Sequence, residues 1–399
     1  MASPEPSHLV IKDSRFLRFE AIQWWDQSRL KNARILVVGA GALGNEIIKN
    51  LALLGIGQLV IVDRDSIELS NLSRSVLFRE SNKGLPKALC AANAAKDIYP
   101  DIHCAGITGN VLTDVGIGFF RRAQVIIGAL DNREARVFVN KVCALLGKPW
   151  IDGGIEVLSG IVRGFAPPAT ACYECTMSKV DWDMLNKSRS CSLLAKRAQA
   201  HNGVATTPTT ASIIGAIQAQ ETVKILHGMD SLLGKGFFYD GAGHNSYYIS
   251  YPIKTDCTLH EPAVAVETLP EISSDSPVRD LWEHAGRLLG GVDAIDLCRE
   301  IVSELTCPSC ARVEKVYTQA ESISKENLLC KKCGVECTPG FFHSISGKDE
   351  LLNMRIRDLG LPKWDVVWAR FRDKCIGLEI TGDAPDAGEL YPDYKNKTE

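Results

Sequence analysis

The sequence predicts an α/β protein built on a Rossmann-like, mainly parallel sheet, followed by a zinc ribbon and a small C-terminal module. Three observations carry that expectation. Apolar, strand-like runs alternate with helix-like segments through the first third of the chain, an order that right-handed crossovers turn into a parallel sheet. A glycine-rich turn, Gly39-Ala-Gly41-Ala-Leu-Gly44, joins the first run to the first helix. Three Cys-x-x-Cys pairs lie further along, two of them close together near the C-terminal end.

In chain order, ARILVVGA (33–40) is a buried strand, and residues 42–54 repeat apolar positions at helical spacing. QLVIVD (58–63) is the second strand and LPKALCAANAAKDI (85–98) the second helix. IHCAGI, AQVIIGAL and KPWIDG supply further strands, with a helix at 133–146 between the last two. GIVRGFAPP (160–168) opens a section of Tyr- and Pro-bearing strands, and a long helix is expected at 209–227. The pattern places one domain at 1–265, with a long connection at 176–207, then a linker with short helices at 266–304. A zinc ribbon at 305–338, a small module at 339–383 and an acidic, polar tail at 384–399, expected to be disordered, complete it.

Composition excludes several classes. A chain of 399 residues with 45% hydrophobic and 23% charged residues has the makeup of a folded protein. A net charge of −3 gives no basis for a whole-chain nucleic-acid or anionic-membrane binder. No apolar run reaches the roughly 18 residues of a membrane span, and the first residues lack signal-peptide order. A cytoplasmic protein is expected. The fourteen cysteines are then thiols rather than disulfides. Cys90, Cys104, Cys143 and Cys298 sit in apolar or helical patterns and read as small core residues.

The glycine turn lets backbone N–H groups approach a phosphate at a helix N-terminus, and Asp63 ends the next strand, where a carboxylate can accept from ribose hydroxyls. Alone, this fits NAD, FAD, S-adenosylmethionine or ATP, or a mere tight turn. The next motifs are more selective: Asp63-Arg-Asp65, then Asn71-Leu-Ser-Arg74, then Gly84-Leu-Pro-Lys87-Ala, then Leu130-Asp131-Asn132-Arg-Glu-Ala-Arg136 after an apolar strand. This ordered set closely resembles the ubiquitin-activating-enzyme family, which includes the bacterial molybdopterin- and thiamine-pathway adenylyltransferases that activate sulfur-carrier proteins. The resemblance spans roughly residues 10–260.

The resemblance implies ATP-dependent adenylation of the C-terminal glycine of a ubiquitin-fold protein. It assigns Gly39, Gly41, Gly44, Asp63, Asp65, Asn71, Arg74, Lys87, Asp131 and Asn132 to ATP. Lys87 and Arg74 would contact the phosphates, and Asp131 would hold Mg2+. It also implies a homodimer in which Arg18, in Arg15-Phe-Leu-Arg18, reaches the partner's active site. A nicotinamide-dependent Rossmann oxidoreductase explains the glycines and Asp63 but not Asn71, Arg74, Lys87 and Asp131. A zinc-ribbon interaction protein with an inactive nucleotide fold leaves Lys87 and Asp131 unexplained.

Cys307-Pro-Ser-Cys310 and Cys330-Lys-Lys-Cys333 form a four-thiolate zinc-ribbon pattern. Cys337 would be a fifth thiolate and is not counted as a ligand. Cys172-Tyr-Glu-Cys175 matches the first half of the zinc site in many of the bacterial relatives. Where they carry a second pair, this chain reads Cys257-Thr-Leu-His260, which implies a Cys3His set.

Cys191 is the candidate nucleophile. Ser190 caps the segment it begins, and Lys187, Arg189, Lys196 and Arg197 surround it, a setting that favours a thiolate. In the resembling family a cysteine in this crossover loop accepts the activated glycine as a thioester. The expected function is activation of a ubiquitin-like protein feeding a conjugation pathway, with sulfur-carrier activation as the alternative. A conjugating enzyme is a further expected partner. The chain shows no large catalytic-cysteine domain and no rhodanese-like module, which fits a bacterial enzyme.

Overall fold

The computed structural model describes residues 14–189, 205–324, 326–347 and 349–383. Its larger sheet has eight strands in the order β3-β2-β1-β4-β5-β6-β7-β8. These are β1 (Arg34–Val38), β2 (Gln58–Asp63), β3 (His103–Thr108), β4 (Val125–Gly128), β5 (Trp150–Glu156), β6 (Ser159–Phe165), β7 (Lys235–Asp240) and β8 (Asn245–Ser250). The first five run parallel to one another and the last three pair antiparallel. The mainly parallel, Rossmann-like sheet expected from the sequence is therefore present.

Alternation along the strands builds a core on each face. Ile35, Val37, Leu59 and Ile61 point to one side, where α2 (Ala42–Leu54), α3 (Lys87–Ile98) and α8 (Pro208–Leu226) pack. Leu36, Val38, Val60 and Val62 point to the other, against α4 (Ile117–Arg122) and α5 (Arg133–Leu146). The inner strands β1, β2 and β4 are buried on both faces, which is why these runs are continuously apolar. Gly147 in left-handed conformation ends α5, and Asn132 caps its start by accepting from the Ala135 amide at 2.8 Å. Cys104 and Cys143 are buried as expected, while Cys90 and Cys298 are half-buried. Within 176–207, α7 (Lys179–Arg189) follows a short helix, α6 (Tyr173–Thr176), after a non-helical break at Met177.

The C-terminal third differs from the expected division. Residues 266–304 are not a linker with short helices. They hold β9 (Val266–Leu269), a single helix α9 (Val278–Leu289) and the start of β10 (Ala294–Thr306). β10 is rich in Asp, Arg and Glu, yet it pairs with β11 (Val313–Gln319), β12 (Thr338–Ile345) and β13 (Val366–Phe371). With β14 (Lys374–Ile380) they form a six-stranded sheet ordered β11-β10-β13-β14-β9, with β12 also on β10. The cysteine-rich stretch 305–338 is thus the outer end of strands that continue inward to the stretch 339–383.

A polar joint fixes this second unit to the first. The Arg299 guanidinium and the Asp365 carboxylate, both buried, lie 2.6 Å apart, and Asp365 also accepts from the Ile117 amide at 3.0 Å. Trp364 packs edge-on to Phe119. A Cβ on Gly118 would come within 2.5 Å of the Trp364 indole nitrogen, so the close approach requires glycine there. The buried Glu379 carboxylate takes hydrogen bonds from Trp364, Arg121 and Arg122.

Candidate active site and metal centres

The glycine turn opens onto a cavity of about 1320 Å3 at the carboxyl ends of the parallel strands, the place where open α/β sheets hold their ligands. The three glycines have different jobs. Gly39 has φ +102°, and a Cβ on it would lie 2.2 Å from the Ala129 carbonyl oxygen. Gly41 has open space where a Cβ would go and lines the cavity. Gly44 does not line it: a Cβ there would sit 2.1 Å from the Gly39 carbonyl oxygen, so this glycine lets α2 pack against the turn.

Asp63, Asp65, Asn71, Arg74, Lys87, Asp131 and Asn132 all line the same cavity. They come from the ends of β2 and β4, from the short turn Leu69–Asn71 and the residues just after it, and from the head of α3. Asp63 accepts from the Ala40 amide at 2.7 Å and the Asp65 amide at 2.8 Å, so it tethers the glycine turn. Burial raises its carboxyl above the ordinary range, against the pull of those two amides. Lys87 is fixed twice. Its amide donates to the Asp65 carbonyl at 2.9 Å and its ammonium lies 3.0 Å from the Asp65 carboxylate. Asn71 accepts from the Glu68 amide at 3.0 Å, and Arg74 donates to the Ser70 carbonyl at 2.9 Å. Asn132 donates to Asp131 at 3.0 Å.

Arg18 is exposed in the turn before α1 (Gln27–Lys31) and does not line this cavity. Cys191 lies outside the described residues.

Two features were not assigned from sequence. Asp152, fully buried on β5, is bracketed by Arg136 at 2.8 Å and by Arg163. Arg136 also donates to the Leu130 carbonyl at 2.6 Å and the Gly153 carbonyl at 3.1 Å, so it locks the turn that presents Asp131. Burial works against the Arg136 charge, but Asp152 beside it outweighs that and the guanidinium stays above its usual range. The final residue of the Asp131-Asn132-x-x-x-Arg136 motif is its only sequence signal, because pairing with Asp152 is a tertiary event. The second feature is Glu321 and Ile323, which reach the cavity from the second unit.

The cysteine sets assemble as the spacing requires. Cys172, Cys175, Cys257 and His260 place their ligand atoms within 4.8 Å of one another, as do Cys307, Cys310, Cys330 and Cys333. Sulfurs bound tetrahedrally to zinc at about 2.3 Å lie roughly 3.8 Å apart. The observed separations are close to that: 3.8 Å for Cys172–Cys175 and 3.6 Å for both Cys172–Cys257 and Cys310–Cys330. His260 Nε2 is 3.1 Å from the Cys175 sulfur, and its Nδ1 faces the Pro168 carbonyl at 3.4 Å, which orients the ring for Nε2 ligation. Backbone N–H groups of Lys332 and Cys333 draw the Cys330 thiol down to about 6, whereas burial pushes Cys172 up to about 12. Cys337 packs in the apolar cluster behind its quartet and belongs to neither set.

No helix among the described residues is long and apolar enough to cross a membrane.

Comparison with known proteins bears on the fold and the family. The chain is 39% identical over 151 residues to the NEDD8-activating enzyme E1 catalytic subunit of Schizosaccharomyces pombe, covering 37% of this chain and 34% of that protein. It is 35% identical over 148 residues to the SUMO-activating enzyme subunit uba-2 of Caenorhabditis elegans, covering 37% and 25%. These matches therefore span about a third or less of the relatives' length. A crystal structure of E. coli MccB with AMPCPP and MccA has the same fold, at TM-score 0.52 and 22% identity over 63% of this chain and 75% of that one. The MccB–ATP complex gives TM-score 0.52 and 21% identity, over 65% and 77%. Residues 14–259, well over half of the chain, match the ThiF family as a whole. The chain belongs to the ThiF family.

Proposed function

We propose that this protein is an adenylyltransferase that activates the C-terminal glycine of a ubiquitin-like protein with ATP, then carries it as a thioester on Cys191 into a conjugation pathway. The observation that carries the reading is the convergence of Asn71, Arg74, Lys87 and Asp131 on the cavity that the glycine turn and Asp63 open. The identity to NEDD8- and SUMO-activating subunits, and the MccB fold seen with ATP and with MccA, support it.

The chemistry rests on the residues. The amides of the Gly39–Gly44 turn and the N-terminus of α2 receive the phosphates, and Asp63 accepts from the ribose hydroxyls. The glycine carboxylate attacks the α-phosphorus, forming an acyl–phosphate bond and releasing pyrophosphate. Lys87 and Arg74 stabilise the negative charge that builds on the phosphoryl oxygens, and Asn71 donates to them. The Asp131 carboxylate is a hard oxygen donor at the strand end facing the phosphates, which suits Mg2+. That ion would neutralise the leaving pyrophosphate. The Cys191 thiolate then attacks the acyl carbon and expels AMP. Zn2+ in the two cysteine sets would be structural, since all four positions of each are filled by protein ligands.

A homodimer in which Arg18 serves the neighbouring active site, and a conjugating enzyme as acceptor, belong to the same reading. Sulfur-carrier activation remains its alternative, because adenylation is common to both. Asp131→Ala tests the shared step. It should reduce ATP–pyrophosphate exchange by about 100-fold or more while the unfolding temperature stays unchanged. Exchange near the wild-type rate would refute the assignment.

A further inference from the structure

The second unit reaches into the nucleotide cavity. Glu321 and Ile323 line it together with Gly39, Asp63 and the loop after β3, residues 109–112. Their position in the sheet order is informative. In a Rossmann sheet ordered 3-2-1-4 the phosphates sit over the turn after β1 and the ribose at the end of β2. The base therefore lies one step further out, towards the loop after β3. Asp131, at the end of β4, is on the opposite side, where the chemistry occurs.

This wall is held firmly. Arg299 on β10 donates to the Leu112 carbonyl at 2.9 Å and the Val115 carbonyl at 2.6 Å. Gln319, at the end of β11, donates to the Thr113 carbonyl at 2.7 Å. The loop after β3 and the turn Ala320–Ser322 are thus stitched to each other from both sides. Ile323 is backed by Val302, Leu305 and Leu328, in the cluster that also contains Cys307 and Cys330.

We infer that the Ala320–Ile323 segment forms the base-end wall of the nucleotide site and makes it selective for adenine. This rests on the ATP reading above and adds to it a specificity element supplied by the second unit. Ile323 offers an apolar face to the purine ring. Glu321 offers a carboxylate, which accepts from the exocyclic amine of adenine. A 6-oxo purine presents a carbonyl oxygen at that position, and two acceptors repel. A site built around a hydrogen bond to one substrate group discriminates strongly against the analogue lacking it.

The experiment is equilibrium binding of ATP and ITP to the full chain by titration calorimetry, since inosine replaces the amine by an oxygen. Wild type should prefer ATP by at least about tenfold, and Glu321→Gln, whose amide both donates and accepts, should narrow that ratio about tenfold. Ile323→Ala should weaken both nucleotides, and its unfolding temperature separates that loss from misfolding. An ATP-to-ITP ratio in Glu321→Gln equal to that of wild type would overturn the wall while leaving the ATP reading intact. A wild-type protein that binds neither nucleotide would overturn both.

Discussion

The Lys87 ammonium lies 3.0 Å from the Asp65 carboxylate, so the lysine at the head of α3 is held by a side chain from the end of β2. Asp65 lines the nucleotide cavity, but its observed job is to aim the lysine. Lys87→Ala removes the charge itself and should lower ATP–pyrophosphate exchange by about 100- to 1000-fold, the effect of deleting one transition-state donor. Asp65→Ala leaves the charge and removes its tether, so exchange should fall by only about tenfold. Measuring both variants in parallel checks the assignment, and equal losses would mean that Asp65 acts on nucleotide directly.

The two cysteine sets should each hold one zinc ion, and elemental analysis of chelator-free protein should give about two per chain. Cys257→Ser should remove one and Cys307→Ser the other. Because the ribbon quartet sits against Val302, Leu305 and Leu328, losing its metal should also lower the unfolding temperature of the second unit. Structural zinc contributes about 10–16 kcal/mol of apparent binding free energy, so the shift should be large. A chain that purifies without zinc would sink both sites.

The parts legible in the sequence are those whose signal is local. The motifs holding Gly39, Asp63 and Asp131 come directly after strand ends, so correct strands bring them to one side of the sheet, and Lys87 joins them at the head of α3. The cysteine sets were legible for a related reason: paired thiolates at fixed spacing have few other uses. β9 was invisible because it has four residues, and its partner β14 begins more than a hundred residues later. β10 carries helix-forming charged residues, and only its pairing with three other strands makes it extended. The Asp152 pairing with Arg136 and Arg163, and the reach of Glu321 into the cavity, are tertiary in the same way.

Asp63 provides a pH test. Its carboxyl is raised above the usual range by burial, while the ionised form is the stronger acceptor for ribose hydroxyls. Binding a ribose should therefore release a proton in acid, and affinity should rise as pH increases through the raised Asp63 value. Adenosine is the suitable probe, because it has the ribose and no phosphate to titrate. Its affinity should climb as pH rises from the ordinary carboxylate range towards neutrality for wild type and stay flat for Asp63→Asn. A flat wild-type profile would remove Asp63 from the ribose.

In the proposed reaction, thioester formation would depend on Cys191 and adenylation would not. On that reading the acyl-adenylate is a mixed anhydride built with Lys87, Arg74 and Asp131, and a thiolate would be needed only to attack it afterwards. Cys191→Ala should therefore keep pyrophosphate exchange within about twofold of wild type. The same variant should lose the thiol-sensitive covalent adduct that wild type forms with its carrier protein and MgATP. Two other thiols are poor substitutes: desolvation pushes Cys104 up to about 12 and Cys298 up to about 11, far from the thiolate form at neutral pH. Cys257 is a member of the Cys172 set. An adduct that survives in Cys191→Ala would move the nucleophile to another cysteine. Normal exchange with no adduct even in wild type would leave the chain as an adenylating enzyme alone, which is the behaviour of sulfur-carrier activation.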